Sequence, residues 1–339
     1  MSGAAVNVNA TPQEVPNPYV YRYSLDSEYD LGAGWVVALG YQGSTGRNLA
    51  RYVPYHLFVT PNPRLGQVNL LQTDAESNYN ALLTRATRRF SNDFLFSTEY
   101  RWSRSEDTCS NDHDCHHTYP FDLETERGPS DFDIPHALKV FGTWDLPFLR
   151  ERRDVVGVLL GGWQVSGIVT ATSGYPWTPV ARGSACNVTV PAGGVCPLRP
   201  IAYNGAALED TSNDVLKEPG GQFPGGPLPG LDYFTPPPPG SFTNPPRPGV
   251  GRNSFRGPRY FSVDMNLAKR FNFPAIAGLG ENAGLELRAQ AFNVFNNENL
   301  KPYLFGNDEH NTNIAHPDFG RALKGLAGRV VEFQARFSF

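Results

Sequence analysis

The sequence predicts an all-β protein, a portion of an antiparallel transmembrane β-barrel with about nine meandering strands, short periplasmic turns and long extracellular loops. Three observations point there: the terminal residues, the recurrence of their pattern, and the lengths of the connections. The chain ends Gly328-Arg-Val-Val-Glu-Phe-Gln-Ala-Arg-Phe-Ser-Phe339. Val331, Phe333, Ala335, Phe337 and Phe339 share one parity, and Val330, Glu332, Gln334, Arg336 and Ser338 the other. Successive side chains of a strand point to opposite faces, so one face is apolar and the other mostly polar. A helix would scatter both sets around its circumference. A half-buried soluble sheet and a membrane barrel both reward this pattern. A terminal strand with an aromatic end favours the barrel, because closure leaves no edge to protect.

The same rhythm recurs along the chain. Residues 1–17 are polar and proline-containing, a disordered lead-in. Tyr19 to Tyr29 alternates Tyr19, Tyr21, Tyr23 and Leu25 with Arg22, Ser24 and Asp26. The glycines of Asp30–Gly34 predict a tight turn. Trp35 to Gln42 returns with Val37, Leu39 and Tyr41 on one parity. Asn78 to Arg88 is weaker, since Ala81, Leu82 and Leu83 run together, and its composition also suits a short helix. Phe94 to Ser103 sets Phe94, Phe96, Thr98, Tyr100 and Trp102 against Ser97, Glu99, Arg101 and Ser103. His136 to Leu146, Trp163 to Ser173, Tyr260 to Arg270 and Leu285 to Phe295 continue the alternation. These segments run roughly 9 to 13 residues, near the ~9–11 that a tilted strand needs to cross a bilayer. Connections after the first, third, fifth and seventh strands are short. Loops of about 43–77, 105–134, 174–258 and 296–327 follow the others. Membrane barrels join strands by short periplasmic turns and longer extracellular loops, so residues 18–339 read as the C-terminal part of an outer-membrane barrel. An odd strand count implies further strands upstream.

Composition narrows the function classes. The net charge of −4 argues against a nucleic-acid partner. No run approaches the roughly 20 apolar residues of a membrane helix, and the mean hydropathy of −0.38 suits half-polar strands as well as a soluble chain. The 34 glycines and 30 prolines concentrate between the patterned segments, which marks those segments as loops. Met1 to Ala10 lacks the basic start and apolar centre of a secretory signal, so a signal is expected upstream. Cys109 with Cys115, and Cys186 with Cys196, are close pairs in loop sequence and read as disulfides of an oxidising compartment.

Several segments resemble the C-terminal barrel of TonB-dependent receptors of the Oar-like kind. They are Tyr23-Ser-Leu25, Gly34-Trp-Val-Val-Ala-Leu-Gly-Tyr-Gln-Gly-Ser-Thr-Gly-Arg-Asn-Leu49, Ser77-Asn-Tyr-Asn-Ala-Leu82 and Tyr100-Arg-Trp-Ser-Arg-Ser105. They continue with Leu160-Gly-Gly-Trp-Gln-Val-Ser-Gly-Ile-Val169, Phe255-Arg-Gly-Pro258, Arg288-Ala-Gln-Ala-Phe-Asn-Val-Phe-Asn296 and the terminal Phe339. Each motif is weak alone; their order along most of the chain is the specific part. The resemblance implies a barrel of about 22 strands with a plugged lumen, driven by an inner-membrane motor. Plug, motor-contacting segment, signal and early strands do not match anything in this sequence. It also implies partners: outer-membrane lipid, the barrel-assembly machinery that reads Phe333, Phe337 and Phe339, and the TonB system through upstream segments.

Candidate sites each have a plainer reading. Asp112-His-Asp-Cys-His-His117 is dense in metal-type ligands, but a Cys109–Cys115 disulfide removes the thiolate, so no metal site is assigned. Glu286, Arg288 and Gln290, with Glu332, Gln334 and Arg336, share the polar parity of the last two strands. They are lumen-facing candidates whose opposite charges face one another if the strands pair; a hydrated wall is the plainer reading and a substrate contact the sharper one. Tyr19, Tyr100, Trp102, Trp144 and Trp163 read as interfacial girdles, with a sugar-binding platform as the sharper alternative. Gly43-Ser-Thr-Gly46 lacks the Lys-Ser/Thr ending of a phosphate loop. No catalytic residues and no cofactor are assigned. The expected function is solute uptake across the cell outer membrane in the full-length protein. The alternatives are a secreted soluble β-sandwich that binds carbohydrate or mediates adhesion, and a secreted glycosidase using a loop carboxylate pair.

Overall fold

The computed structural model describes residues 6–54, 64–91, 93–110, 119, 122–182, 198–204, 231, 233–238, 246–273, 283–301, 312–316, 319–320 and 325–339. Within them, nine strands form an antiparallel meander, each pairing with its neighbours in chain order. They are β1 (Tyr19–Gly32), β2 (Trp35–Pro54), β3 (Leu65–Ser91), β4 (Phe94–Asp107) and β5 (His136–Asp145). The rest are β6 (Trp163–Thr172), β7 (Tyr260–Asn272), β8 (Gly284–Phe292) and β9 (Val330–Ser338). β1 and β9 each have a single meander neighbour, so the sheet is an open wall.

Register explains how the two parities become two surfaces. One row runs Ser27, Leu39, Thr84, Tyr100, Leu138, Ala171, Phe261 across β1 to β7. The adjacent row runs Glu28, Ala38, Arg85, Glu99, Lys139, Thr170, Ser262. Val36, Ala81, Ser97, Ser103, Ser105, Ser262 and Ala268, all on the second parity, are buried. Leu25, Leu39, Tyr100, Trp102, Phe261 and Leu267, on the first, are exposed. Side chains on a concave face shield one another and those on a convex face do not. The polar parity therefore lines the concave side, and the apolar parity faces outward.

Aromatic rings edge the outer surface at both ends. Trp35, Phe94, Phe96, Trp144 and Trp163 stand on the convex parity near the short turns, and Tyr23, Tyr41 and Trp102 near the long loops. From Phe94 to Trp102 is about 27 Å along the strand at ~3.4 Å per residue, the scale of the ~25 Å apolar band of a barrel. The upper rim is satisfied internally: the Tyr23 and Tyr41 hydroxyls both donate to Asn80 Oδ1, at 3.0 and 2.7 Å. Tyr23 lies over Gly43, where any Cβ would strike its ring.

Two expectations need correction. Residues 43–77, expected as a loop, are largely paired strand: β2 runs on to Pro54 and β3 begins at Leu65. The 27 residues of β3 span about 90 Å at ~3.4 Å each, about three times the ~30 Å hydrocarbon core, so the hairpin projects beyond it. The lead-in is not wholly disordered, since Val6–Ala10 pairs in parallel with β3 at Leu65 to Leu70. It takes the edge of β3 that β4 leaves vacant beyond Ser77. Asn78 to Arg88 is the strand expected rather than a short helix, held on both sides by β2 and β4.

The turn between β1 and β2 holds Gly32, Ala33 and Gly34 at φ of 79°, 51° and 82°, a conformation that glycine adopts freely and alanine resists. Leu39→Arg places a charge in mid-face on the outer row. We expect it to lower the unfolding free energy in lipid vesicles by ~2–4 kcal/mol, while Thr170→Arg on the concave row costs much less. Urea titration of the protein with its native upstream sequence measures both, and equal losses would contradict the assignment of faces.

Candidate functional site

The concave wall and the loops folded onto it form the candidate site. Across the wall, Glu28, Arg85, Glu99 and Lys139 stand in one row of alternating charge, and Arg85 Nη2 bonds Glu28 Oε2 at 3.1 Å. Together with Asp26 and Arg101 they line a hollow of about 540 Å³. Arg101 Nε is buried without a hydrogen-bond partner among the described residues. Toward the short turns, Phe141 and Ile168 face each other across β5 and β6 on this same parity. Both are exposed, an apolar interruption in a polar wall.

Above the wall, the loops after β4, β6 and β8 fold together. Their apolar core is Trp177, Ala181, Phe234, Val250, Phe255, Leu300, Ile314 and Phe319. Trp177 and Phe255 pack at 5.5 Å between ring centroids, and their strands pair as Pro176–Trp177 against Phe255–Arg256. Trp177, Phe234 and Ile314 are fully buried, so the loop assembly excludes water as a domain core does.

Arginine–carboxylate bonds lock this cap to the concave face. Ser103, Ser105 and Asp107 close β4 on the concave parity, and all three are buried. Ser103 Oγ donates to the Ile134 carbonyl at 2.9 Å, and Asp133 Oδ1 accepts from the Ser105 amide at 2.7 Å. Ser105 and Ser130 join their hydroxyls at 2.8 Å. Arg252 reaches in from the loop after β6. Its Nη2 bonds Asp107, and its Nε donates to the Glu126 carbonyl at 2.8 Å. Asn253 follows with φ of 53°, donating through Nδ2 to Pro129 O at 2.8 Å and Asp131 Oδ1 at 2.6 Å. Arg256 holds the Asp133 carboxylate and donates to its carbonyl at 2.8 Å. Deeper still, Arg199 and Glu126 pair at 2.8 Å with side chains 2% exposed on both sides. Burial pushes the Arg199 guanidinium below its usual range, and Glu126 partly restores it. At the surface, Arg127 holds the Glu124 carboxyl below the usual carboxylate range.

The six polar residues named on the last two strands pair in register. Glu286 opposes Arg336, Arg288 opposes Gln334, and Gln290 opposes Glu332. Arg288 Nη2 also pairs with Glu286 along its own strand at 2.6 Å. Phe333 and Phe339 are 83% and 84% exposed and Phe337 about half, its ring 6.1 Å from Phe273. Cys109 is disulfide-bonded; Cys115, Cys186, Cys196 and the Asp112–His117 cluster lie outside the described residues. Gly43–Gly46 is strand, within β2. Sequence reasoning missed the buried network of Asp107, Glu126, Asp131, Asp133, Arg199, Arg252, Asn253 and Arg256. Its one legible signal is charge: the acidic stretch 105–133 faces a stretch holding Arg247, Arg252, Arg256 and Arg259.

An amphipathic strand wall with an apolar convex face, aromatic rims and a folded loop cap defines a membrane β-barrel protein. The sequence matches the family model "Outer membrane beta barrel domain" over residues 2–332, and the chain belongs to that family. Its location is the outer membrane. No curated protein matches it. Among solved structures it is similar to the outer membrane transporter YddB from Escherichia coli, with 9% identity and a TM-score of 0.47. The match covers 88% of this chain, which spans 31% of that transporter.

Arg252→Gln leaves Asp107 buried without its cation. Breaking such a pair costs about 3–5 kcal/mol, and here the loss falls on the cap. Limited proteolysis is expected to cut within 122–135 and 246–258 while the strands stay protected; unchanged resistance would show that the pair does not hold the cap. Alkylation without reductant is expected to add no label to any of the four cysteines, and labelled thiols by mass would remove the two-disulfide reading.

Proposed function

We propose that this chain forms part of a TonB-dependent, Oar-like transport barrel in the outer membrane. The observation that carries the proposal is the loop cap seated on the concave side of an incomplete wall. A cap on that side meets a solute before the lumen does, and the wall below offers it alternating charge. Uptake then needs selective binding and a moving plug rather than covalent catalysis. The wall needs more strands, because hydrocarbon satisfies no free strand edge and an odd meander would close with its edge strands parallel. The resemblance supplies a source for them in upstream strands, and Phe141 with Ile168 gives a plug an apolar place to rest. The outer row meets lipid, Phe333, Phe337 and Phe339 serve as the assembly signal, and the TonB system acts through upstream segments. The two disulfides, Cys109–Cys115 and Cys186–Cys196, brace the external loops.

The test is expression with the native upstream sequence, followed by membrane fractionation and solute-uptake assays with and without a functional TonB system. The expected result is detergent-dependent recovery from the outer membrane and uptake that stops when TonB is removed. TonB-independent uptake would overturn the energy coupling. Recovery as a monodisperse soluble periplasmic protein would overturn the barrel itself.

A further inference from the structure

The connection between β5 and β6 carries a feature that transport does not use. It contains a six-residue helix, α1 (Val155–Leu160), started by Asp154, whose side chain accepts from the Gly157 amide at 3.0 Å. Gly161 caps its end. Val155, Val156, Val158, Leu159 and Leu160 are all exposed, and the buried residue of the helix is Gly157, packed against the Arg152 backbone. Phe148 and Leu149 just before it are exposed as well. Water alone does not favour an aliphatic helix that buries only its glycine.

Two contacts place this helix on the outer side of the wall. Trp163 Nε1 donates to the Leu159 carbonyl at 3.1 Å, and Lys269 Nζ donates to the Gly161 carbonyl. Lys269 lies 5.6 Å from the Trp163 ring centroid and 5.0 Å from that of Phe271. Trp163, Lys269 and Phe271 belong to the convex parity, in the aromatic rim at the short-turn end. The exposed apolar surface of α1 is therefore continuous with the lipid-facing surface of the barrel. Arg150, Arg152 and Arg153 precede it. Arg150 pairs with Asp93 and Arg152 with Asp154, both at 2.8 Å. Arg153 has no ion pair among the described residues.

We propose that α1 and its arginines form an interfacial anchor that binds phospholipid at the short-turn end of the barrel. The aliphatic side chains enter the acyl boundary by ~5–10 Å, as interfacial helices do, and Arg153 meets a lipid phosphate. The inference rests on the lipid-facing wall and is independent of what the barrel transports.

The test uses the protein with its native upstream sequence, reconstituted in vesicles of equimolar phosphatidylcholine and phosphatidylglycerol. A polarity-sensitive fluorophore is attached at Val155→Cys, and separately at Leu39→Cys on the mid-wall as a control. Labelling is done without reductant, with the unsubstituted protein as background. The expected result is blue-shifted emission from both sites. Nitroxide near the lipid headgroup quenches the Val155 label best, and nitroxide deep in the acyl chains quenches the Leu39 label best. Arg153→Gln is expected to shift the Val155 emission to the red in these vesicles and not in phosphatidylcholine alone. Water-like emission at Val155 quenched by aqueous iodide, with Leu39 still in lipid, would overturn the anchor and leave the barrel standing. Water-like emission at both sites would remove the lipid-facing wall itself. An Arg153→Gln response identical in the two lipids would overturn the phosphate contact.

Discussion

Hydrocarbon offers no hydrogen bonds, and the strand wall of this chain answers to that constraint. Within the membrane each amide and carbonyl must find a partner in another strand. The nine-strand meander supplies those partners for every strand except the outer edges of β1 and β9. The same constraint sets the side-chain chemistry. Residues on one parity meet lipid and are apolar, while those on the other meet water or protein and carry Glu28, Arg85, Glu99 and Lys139. Aromatic rings with one polar atom settle where lipid gives way to water, as the Tyr23 and Tyr41 hydroxyls do on Asn80.

Beyond the membrane a different physics takes over. The projecting hairpin of β2 and β3 buries Arg51, Val53 and Ala75, and Arg51 pairs with Asp74 at 2.5 and 2.6 Å. The loops bury Trp177, Phe234 and Phe255 as a small soluble domain would. Buried ion pairs are a weak source of net stability, since desolvation offsets much of the attraction. Their geometry is demanding, however, and Arg252, Asn253 and Arg256 fix one arrangement of the loops after β4 and β6 against the end of β4. The cap therefore behaves as a preformed surface over the concave wall rather than as loose tethers.

The cores of all nine strands were legible in the sequence because lipid on one face and water on the other writes a period of two into the residues. Phe94, Phe96, Thr98, Tyr100 and Trp102 show it clearly. The upper part of the hairpin was not legible: Gly43 to Pro54 shows no alternation of apolar and polar residues, and its buried positions include the charged Arg51 beside Val53. Asn78 to Arg88 looked ambiguous because Leu83 stands on the concave parity, where the wall accepts it beside Gly40. The cap was the least legible. Arg252 lies 145 residues from Asp107, and Arg199 lies 73 from Glu126. Contacts of that separation leave no local pattern, only a complementarity of charge between whole loops.

The most direct measurement of the central claim is a spin-label scan along β4 from Phe94 to Asp107 in a lipid bilayer. The account predicts accessibility of period two over the spanning part of the strand. Labels replacing Phe96, Thr98, Tyr100 and Trp102 should relax with dissolved oxygen, and those replacing Ser97, Glu99 and Arg101 with a water-soluble paramagnetic chelate. A scan without alternation, or with the two sets reversed, would contradict it.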